Sequence, residues 1–251
     1  MFTKENAIPP ESMAKLTAVL DAYHAQSNPN SAYTFHYNSQ SLIKNLREIF
    51  KDIPEIYQSL NDNAYIVTRR VTPSASKFAF MAHFDNYRST ILVPIRVPNE
   101  EMNGDLIMWR NARFLPKNVL THLISKLLFQ NKLSKMVLKA MYRRGIKFNR
   151  YSVKPGGFAK FDGFVDLHFN MPVGSGERFS LLIHNEKMFA DTFIVKMIET
   201  VSRLMVKQSF PLPQKKHLQI VSSSGMDQHE LSGNALKNAT KEIETHSKRA
   251  G

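Results

Sequence analysis

From Ala64 to His184 the chain is a succession of short apolar or β-branched runs divided by turn residues, broken by one long helical segment. Ala64–Val71, Phe78–His83, Thr90–Val97, Asp105–Arg110, Phe148–Val153, Phe158–Phe161, Val165–Phe169 and Arg178–His184 read as strands. Lys154-Pro155-Gly156-Gly157, Asp162-Gly163 and Gly174-Ser175-Gly176 read as turns, and Asn103-Gly104 as a hairpin signal. So many short strands predict a mainly β domain with helices on its flanks (α+β).

The first sixty residues read as helical, over Met13–His24 behind a Pro9-Pro10-Glu11-Ser12 start and over Leu42–Leu60. A second helical segment interrupts the strands, from Pro116 to Arg144, with Gly145 as its stop and Gln130-Asn131 as a break within it. On a 3.6-residue period Lys117, Lys132, Lys135, Lys139 and Arg143 share one sector. Val119, Leu120, Leu123, Leu127, Val137, Leu138 and Met141 lie roughly opposite, which predicts an apolar stripe packed on the β core. Ala190–Gln208 reads as a last helix and Ser222–Gly251 as a polar tail. The expected organisation is one domain over 1–221: helices in 1–62, β core in 63–110 and 148–186, helical insertion in 111–147, helix in 188–210. A mobile tail follows over 222–251.

Cysteine is absent, so disulfides and thiolate metal sites are excluded, and any metal must be held by His, Asp or Glu. No uninterrupted apolar run is long enough for a membrane-spanning helix, and the N-terminus lacks a secretory h-region. A cytoplasmic protein is the expectation. The formal net charge of +13 is unevenly spread. Arg113, Lys117, Lys126, Lys132, Lys135, Lys139, Arg143, Arg144, Lys147 and Arg150 fall between Asn111 and Arg150 without one Asp or Glu among them. That localisation points to an anionic partner for one surface.

Three features carry chemistry. In a strand, residues two apart share a face, so His83 and Asp85 of His83-Phe84-Asp85 can meet one metal. His168, near the end of a later strand, completes a 2-His-1-carboxylate facial triad, which leaves positions on Fe(II) open. Arg178 and Ser180 share another strand face, where a guanidinium fork and a hydroxyl suit a terminal carboxylate.

With His-x-Asp, a distal His and an Arg-x-Ser ten residues beyond it, the chain resembles the iron(II)/2-oxoglutarate-dependent dioxygenases. The likeness extends over roughly Ala64–His184 and includes the phrase GGFAKFDGFVDLHFNMPVGSGERFSLLIH. It departs in the long interval between Asp85 and His168, which the basic insertion accounts for. The resemblance implies a double-stranded β-helix (jelly-roll, cupin-like), with Fe(II) on His83, Asp85 and His168. It further implies 2-oxoglutarate held by Arg178 and Ser180, and O2 as oxidant. Tyr65 and Arg70, on the strand before the metal strand, are expected cosubstrate-pocket residues by the same likeness. Because Asp85 is a carboxylate, hydroxylation, or a related desaturation or cyclisation, is favoured over halogenation.

Other candidates have plainer readings. His184 reads as a core or strand-end residue, His122 as a solvent or lid residue, and Asp162 and Asp166 as turn and surface residues. Asn86, Tyr87, Arg88, Trp109 and Arg110 are candidates for the substrate mouth. The expected substrate is a small or amphiphilic, anionic molecule. The basic segment over 117–144 reads as a lid or as a peripheral membrane contact. Nucleic acid ranks behind both, since no aromatic platform accompanies the charge. A non-catalytic cupin-like metal-binding or sensor protein, and a protein working mainly at a membrane surface, are the alternative functions.

Overall fold

The structure, a computed structural model, describes residues 1–25, 34–37, 40–74, 79–99, 102–190 and 192. Contacts divide the chain into two compact units, Met1–Thr17 with Asn28–Ala190, and Ala18–Ser27 with Asp191–Gly251. Both sheets, the insertion and the candidate site lie in the first unit. The expected helix over 190–208 and the tail fall outside the described residues.

The elements run β1 (Phe2–Lys4), α1 (Pro10–Ala25), β2 (Thr34–Tyr37), α2 (Gln40–Ile49), α3 (Pro54–Tyr57), β3 (Tyr65–Val71), β4 (Tyr87–Arg96) and β5 (Leu106–Trp109). Then come α4 (Val119–Phe129), α5 (Lys132–Arg143), β6 (Arg150–Tyr151), β7 (Phe158–Asp162), β8 (Leu167–Asn170) and β9 (Arg178–Lys187). One antiparallel sheet has the order β1-β7-β4-β9-β3-β2 and the other β6-β5-β8. Strands β7, β8 and β9 alternate between the sheets, as β4 and β5 do, which makes the fold a double-stranded β-helix.

Side-chain alternation explains the core. Leu92 of β4, Ala159 and Phe161 of β7 and Leu182 of β9 face Leu106 and Met108 of β5, so the two sheets enclose one apolar layer. The opposite parity on the small sheet, Ile107, Leu167 and Phe169, packs outward with Leu138, Met141 and Tyr142 of α5. The insertion therefore covers the outer face of the small sheet. It does so through α5 rather than through the whole expected stripe. In α4 His122 is the buried residue, whereas Leu120 and Leu127, like Val137 of α5, are exposed.

The strand expectations hold in position more than in length. The helix expected over Leu42–Leu60 is two elements, because Pro54, which has no N–H to continue the ladder, opens α3 at its first turn. The region before Ala64 also contributes two strands, β1 and β2, each at an edge of the large sheet. Of the strand expected over Phe78–His83, the described part, Ala79–His83, is not a strand: Phe80 takes a positive φ of 59°, and among these residues only His83 pairs, in an isolated bridge. Asn103-Gly104 does not close a hairpin. It carries the chain from β4 in one sheet to β5 in the other, with Gly104 at φ 79°. A Cβ there would lie 2.9 Å from both Arg178 Cδ and Val173 Cγ2, so the glycine serves close packing as well as the turn.

Phe169 is fully buried against Trp109, Phe148 and Phe80, with ring centroids 5.6, 5.6 and 5.9 Å away. Its replacement by alanine is expected to lower the unfolding free energy by about 3–5 kcal/mol in denaturant titration. A loss under about 1 kcal/mol would mean that α5 and the small sheet do not share this core.

Candidate active site

Backbone pairing brings the three expected metal-ligating residues together. His83 and His168 form a reciprocal bridge, each N–H donating to the other's carbonyl at 2.9 and 3.1 Å. Their rings come to 4.4 Å between centroids. Two residues on, the Asp85 N–H donates to the Gly163 carbonyl at 2.7 Å, which sets the carboxylate beside the two imidazoles. One ligand atom from each of His83, Asp85 and His168 lies within 4.8 Å of the others.

Hydrogen bonds choose which atoms face the centre. His83 Nδ1 lies 2.9 Å from the Met81 carbonyl and His168 Nδ1 lies 3.0 Å from the Asp166 carbonyl. A carbonyl only accepts, so each Nδ1 carries a proton and each Nε2 is the atom turned toward the centre. Both Nε2 atoms approach the same oxygen, Asp85 Oδ1, at 3.8 Å from His83 and 3.5 Å from His168. The other oxygen, Oδ2, is engaged by the Thr90 hydroxyl, which donates at 2.9 Å. The hydroxyl in turn accepts from His184 Nδ1 at 2.9 Å. Tyr65 and Tyr87 flank His184, the latter stacked at 5.0 Å. Thus His184, read from sequence as a core or strand-end residue, is buried at a strand but also anchors the carboxylate.

Charge follows from this packing. Burial alone would raise the Asp85 carboxyl, but the three imidazoles around it outweigh that and hold it far below the usual range. Burial, with repulsion from His168, lowers His83 to about 4, against the pull of Asp85. Burial also penalises the His168 imidazolium, yet its closer contact with Asp85 raises it overall.

A polar floor extends along the same face of the large sheet. Cross-strand pairing sets Tyr65 opposite His184, Val67 opposite Leu182, Arg69 opposite Ser180 and Val71 opposite Arg178. Arg178 is buried, and one guanidinium nitrogen, Nη1, donates to the Gly104 carbonyl. Its Nη2 and the Ser180 hydroxyl are buried with no hydrogen-bond partner among the described residues. Burial lowers the Arg178 guanidinium to about 10, which leaves it charged at neutral pH. Asn170 joins this cluster, donating to the Gly104 carbonyl at 3.2 Å while its Oδ1 accepts from Arg69 Nη1 at 3.1 Å.

Of the expected pocket residues, Tyr65 faces this floor and Arg70 does not. Arg70 points to the opposite face, where its Nε donates to Glu177 Oε2 at 2.6 Å and its guanidinium lies over the Phe179 ring. Tyr65 and Arg70 are an odd number of residues apart, so one strand cannot present both on one face. The alternation that selects Tyr65 selects Arg69. Thr90, Asn170 and Gly163 also carried no separate sequence signal. A Cβ on Gly163 would collide with Asp85 Oδ2 and lie 2.8 Å from Thr90 Oγ1, so this turn glycine clears space for the carboxylate.

The insertion reaches the site through Asn86, next to Asp85. Asn86 Oδ1 accepts from Lys126 Nζ at 2.6 Å and from His122 Nε2 at 3.0 Å. Arg113 donates to His122 Nδ1 at 2.8 Å, and the imidazole stacks on Phe164 at 4.8 Å. His122 is thus a buried tie between helix and barrel, not a solvent residue. Asp166 is also buried, accepting the Asn111 N–H at 2.8 Å.

No protein-family model matches the chain, and no curated protein matches it. Solved structures do. One is a prolyl 4-hydroxylase structure from Phytophthora capsici, 10% identical, with 76% of this chain and 60% of that chain covered and a TM-score of 0.45. This chain therefore spans less than two thirds of that protein's length. Another is a prolyl hydroxylase from Trichoplax adhaerens in complex with a hypoxia inducible factor peptide (11% identity, 74% and 83% covered, TM-score 0.44). A third is HygX from Streptomyces hygroscopicus with nickel and 2-oxoglutarate bound (8% identity, 72% and 80% covered, TM-score 0.47). At these identities the likeness is one of fold.

Gly163→Ala is expected to displace the Asp85 carboxylate and weaken Fe(II) binding by about 10–100-fold, the usual effect of disturbing a ligand's support. Anaerobic metal titration measures this. Wild-type affinity in that variant would remove Gly163 and the Asp85–Thr90 contact from the account.

Proposed function

We propose that the chain is an iron(II)- and 2-oxoglutarate-dependent oxygenase that hydroxylates a small or lipid-like, anionic substrate. One observation carries this reading. The same sheet face that supports the His83, Asp85 and His168 triad holds two buried donors without a partner among the described residues, Arg178 Nη2 and Ser180 Oγ. A barrel that only bound metal would have no use for a desolvated carboxylate clamp.

The donor set fits the groups it would hold. Two imidazole nitrogens and one carboxylate oxygen suit Fe(II) and leave coordination positions open for a chelating cosubstrate. Arg178 would grip the far carboxylate of 2-oxoglutarate through Nη2, and Ser180 would donate to the same group. Arg69 adds a second, half-buried guanidinium on this face, paired with no carboxylate among the described residues, so the floor suits a carboxylate. When bound, iron and 2-oxoglutarate supply the oxidation of a substrate C–H bond by O2, with succinate and carbon dioxide as co-products. The chain's own task is positional. Thr90 and His184 fix Asp85, two backbone carbonyls fix the imidazoles, and the apolar layer below excludes water. Lys126, half-buried at Asn86, sets a cation beside the ligand-bearing segment and supports an anionic substrate.

Arg178→Ala is expected to raise the 2-oxoglutarate concentration needed for succinate formation by about 10–100-fold, the range for a charged hydrogen bond. Fe(II) affinity should stay at the wild-type value. Loss of iron binding together with the cosubstrate effect would contradict the assigned role, as would an unchanged requirement.

A further inference from the structure

The insertion buries little of its own apolar surface. On α4, Leu120, Ile124, Leu127 and Leu128 fall within a sector of about 100°, at about 100° per residue. That sector lies opposite His122, the residue that ties the helix to Asn86. On α5, Leu133, Met136 and Val137 are exposed beside the barrel-facing Leu138 and Met141. Leu127, Leu128, Leu133 and Met136 are each 63–73% exposed. A solvated surface helix does not need a second apolar face of this kind, and grouped exposed apolar side chains mark interaction sites.

The two exposed faces meet at a rigid corner. Asn131 caps both helices, its Nδ2 donating to the Leu127 and Leu128 carbonyls at 2.8 Å and its Oδ1 accepting the Ser134 N–H at 2.8 Å. Ser134 Oγ donates to the Leu128 carbonyl as well. The apolar side chains therefore project from a fixed elbow and not from a loop. Exposed cations border it: on α5, Lys132, Lys139 and Arg143 share a sector adjoining that of Leu133 and Val137. No acid lies anywhere between Asn111 and Arg150 to neutralise them.

We propose that the α4–α5 elbow is a docking surface for an anionic lipid bilayer, seating Leu127, Leu128, Leu133 and Met136 among the acyl chains. Charge selects this occupant. A leaflet bearing acidic headgroups matches an apolar tip ringed only by cations, whereas a second copy of this chain would bring cations against cations. The docked helix is the one bonded to Asn86, so attachment holds the candidate site at the membrane surface. The inference needs no iron in the site, and its failure would leave the oxygenase reading untouched.

The test is co-sedimentation of the full chain, in the presence of EDTA, with phosphatidylcholine vesicles with and without phosphatidylserine. Binding is expected to the phosphatidylserine vesicles and to fall steeply as salt is raised toward about 1 M, where the Debye length is about 3 Å. Lys132→Gln with Lys139→Gln should weaken it by about 25-fold, at about fivefold per basic residue. Leu127→Gln with Leu133→Gln should weaken it by at least a similar factor while leaving circular dichroism and melting temperature unchanged, since both residues are exposed. No sedimentation, equal binding to neutral vesicles, or wild-type binding by the leucine variant would each overturn the proposal. So would a dimer in light scattering that the leucine variant dissociates without any vesicle binding, which would give the patch to a second copy.

Discussion

The division of labour between the two oxygens of Asp85 is the constraint on which the site depends. Oδ2 is held by the Thr90 hydroxyl, backed by His184, and Oδ1 faces the Nε2 atoms of His83 and His168. A buried carboxylate without such partners would take up a proton rather than stay charged. Here three imidazoles and a hydroxyl keep it ionised, so the centre is ready for a cation. The surrounding fold supplies the means: a reciprocal backbone bridge between the two histidines, a glycine that leaves room for the carboxylate, and two carbonyls that fix the imidazole tautomers.

A second constraint operates on the floor of the same sheet. Holding the buried Arg178 and the half-buried Arg69 on one face is costly unless an anion compensates them. Their hydrogen-bonded support within the chain is dipolar, from the Gly104 carbonyl and Asn170, Asp105 adds a favourable charge near Arg178, and Arg178 Nη2 has no partner among the described residues. Such an arrangement is understandable as preorganisation for a dicarboxylate. It connects a feature that looks unfavourable in the folded chain with the cosubstrate proposed to complete it.

Much of this was legible in the sequence because strand alternation and short spacing are strict. His83-Phe84-Asp85 and Arg178-Phe179-Ser180 each set two side chains on one face, and the structure has both pairs so arranged. Parity also shows why Arg70 turns away and Arg69 turns in. What was not legible depended on contacts across the fold. Thr90, His184 and Asn170 act through partners distant in sequence, and Gly163 is recognisable as a space-maker only once Asp85 lies against it. Phe78–His83 has strand-like composition, but among its described residues only His83 pairs, in a single bridge. The insertion misled in another way. Its helical period was clear, but a period cannot say which of two apolar faces the barrel covers, and the face assigned to packing is partly the one left exposed.

The central claim is that His83, Asp85 and His168 hold an iron ion which 2-oxoglutarate then chelates. Anaerobic titration of the metal-free protein with Fe(II) and 2-oxoglutarate, followed by visible absorption, tests it most directly. The account predicts the weak metal-to-ligand charge-transfer band of the chelate in the wild type and its loss in His168→Ala. Iron bound at the site without that band would contradict the oxygenase reading and leave a metal-binding barrel.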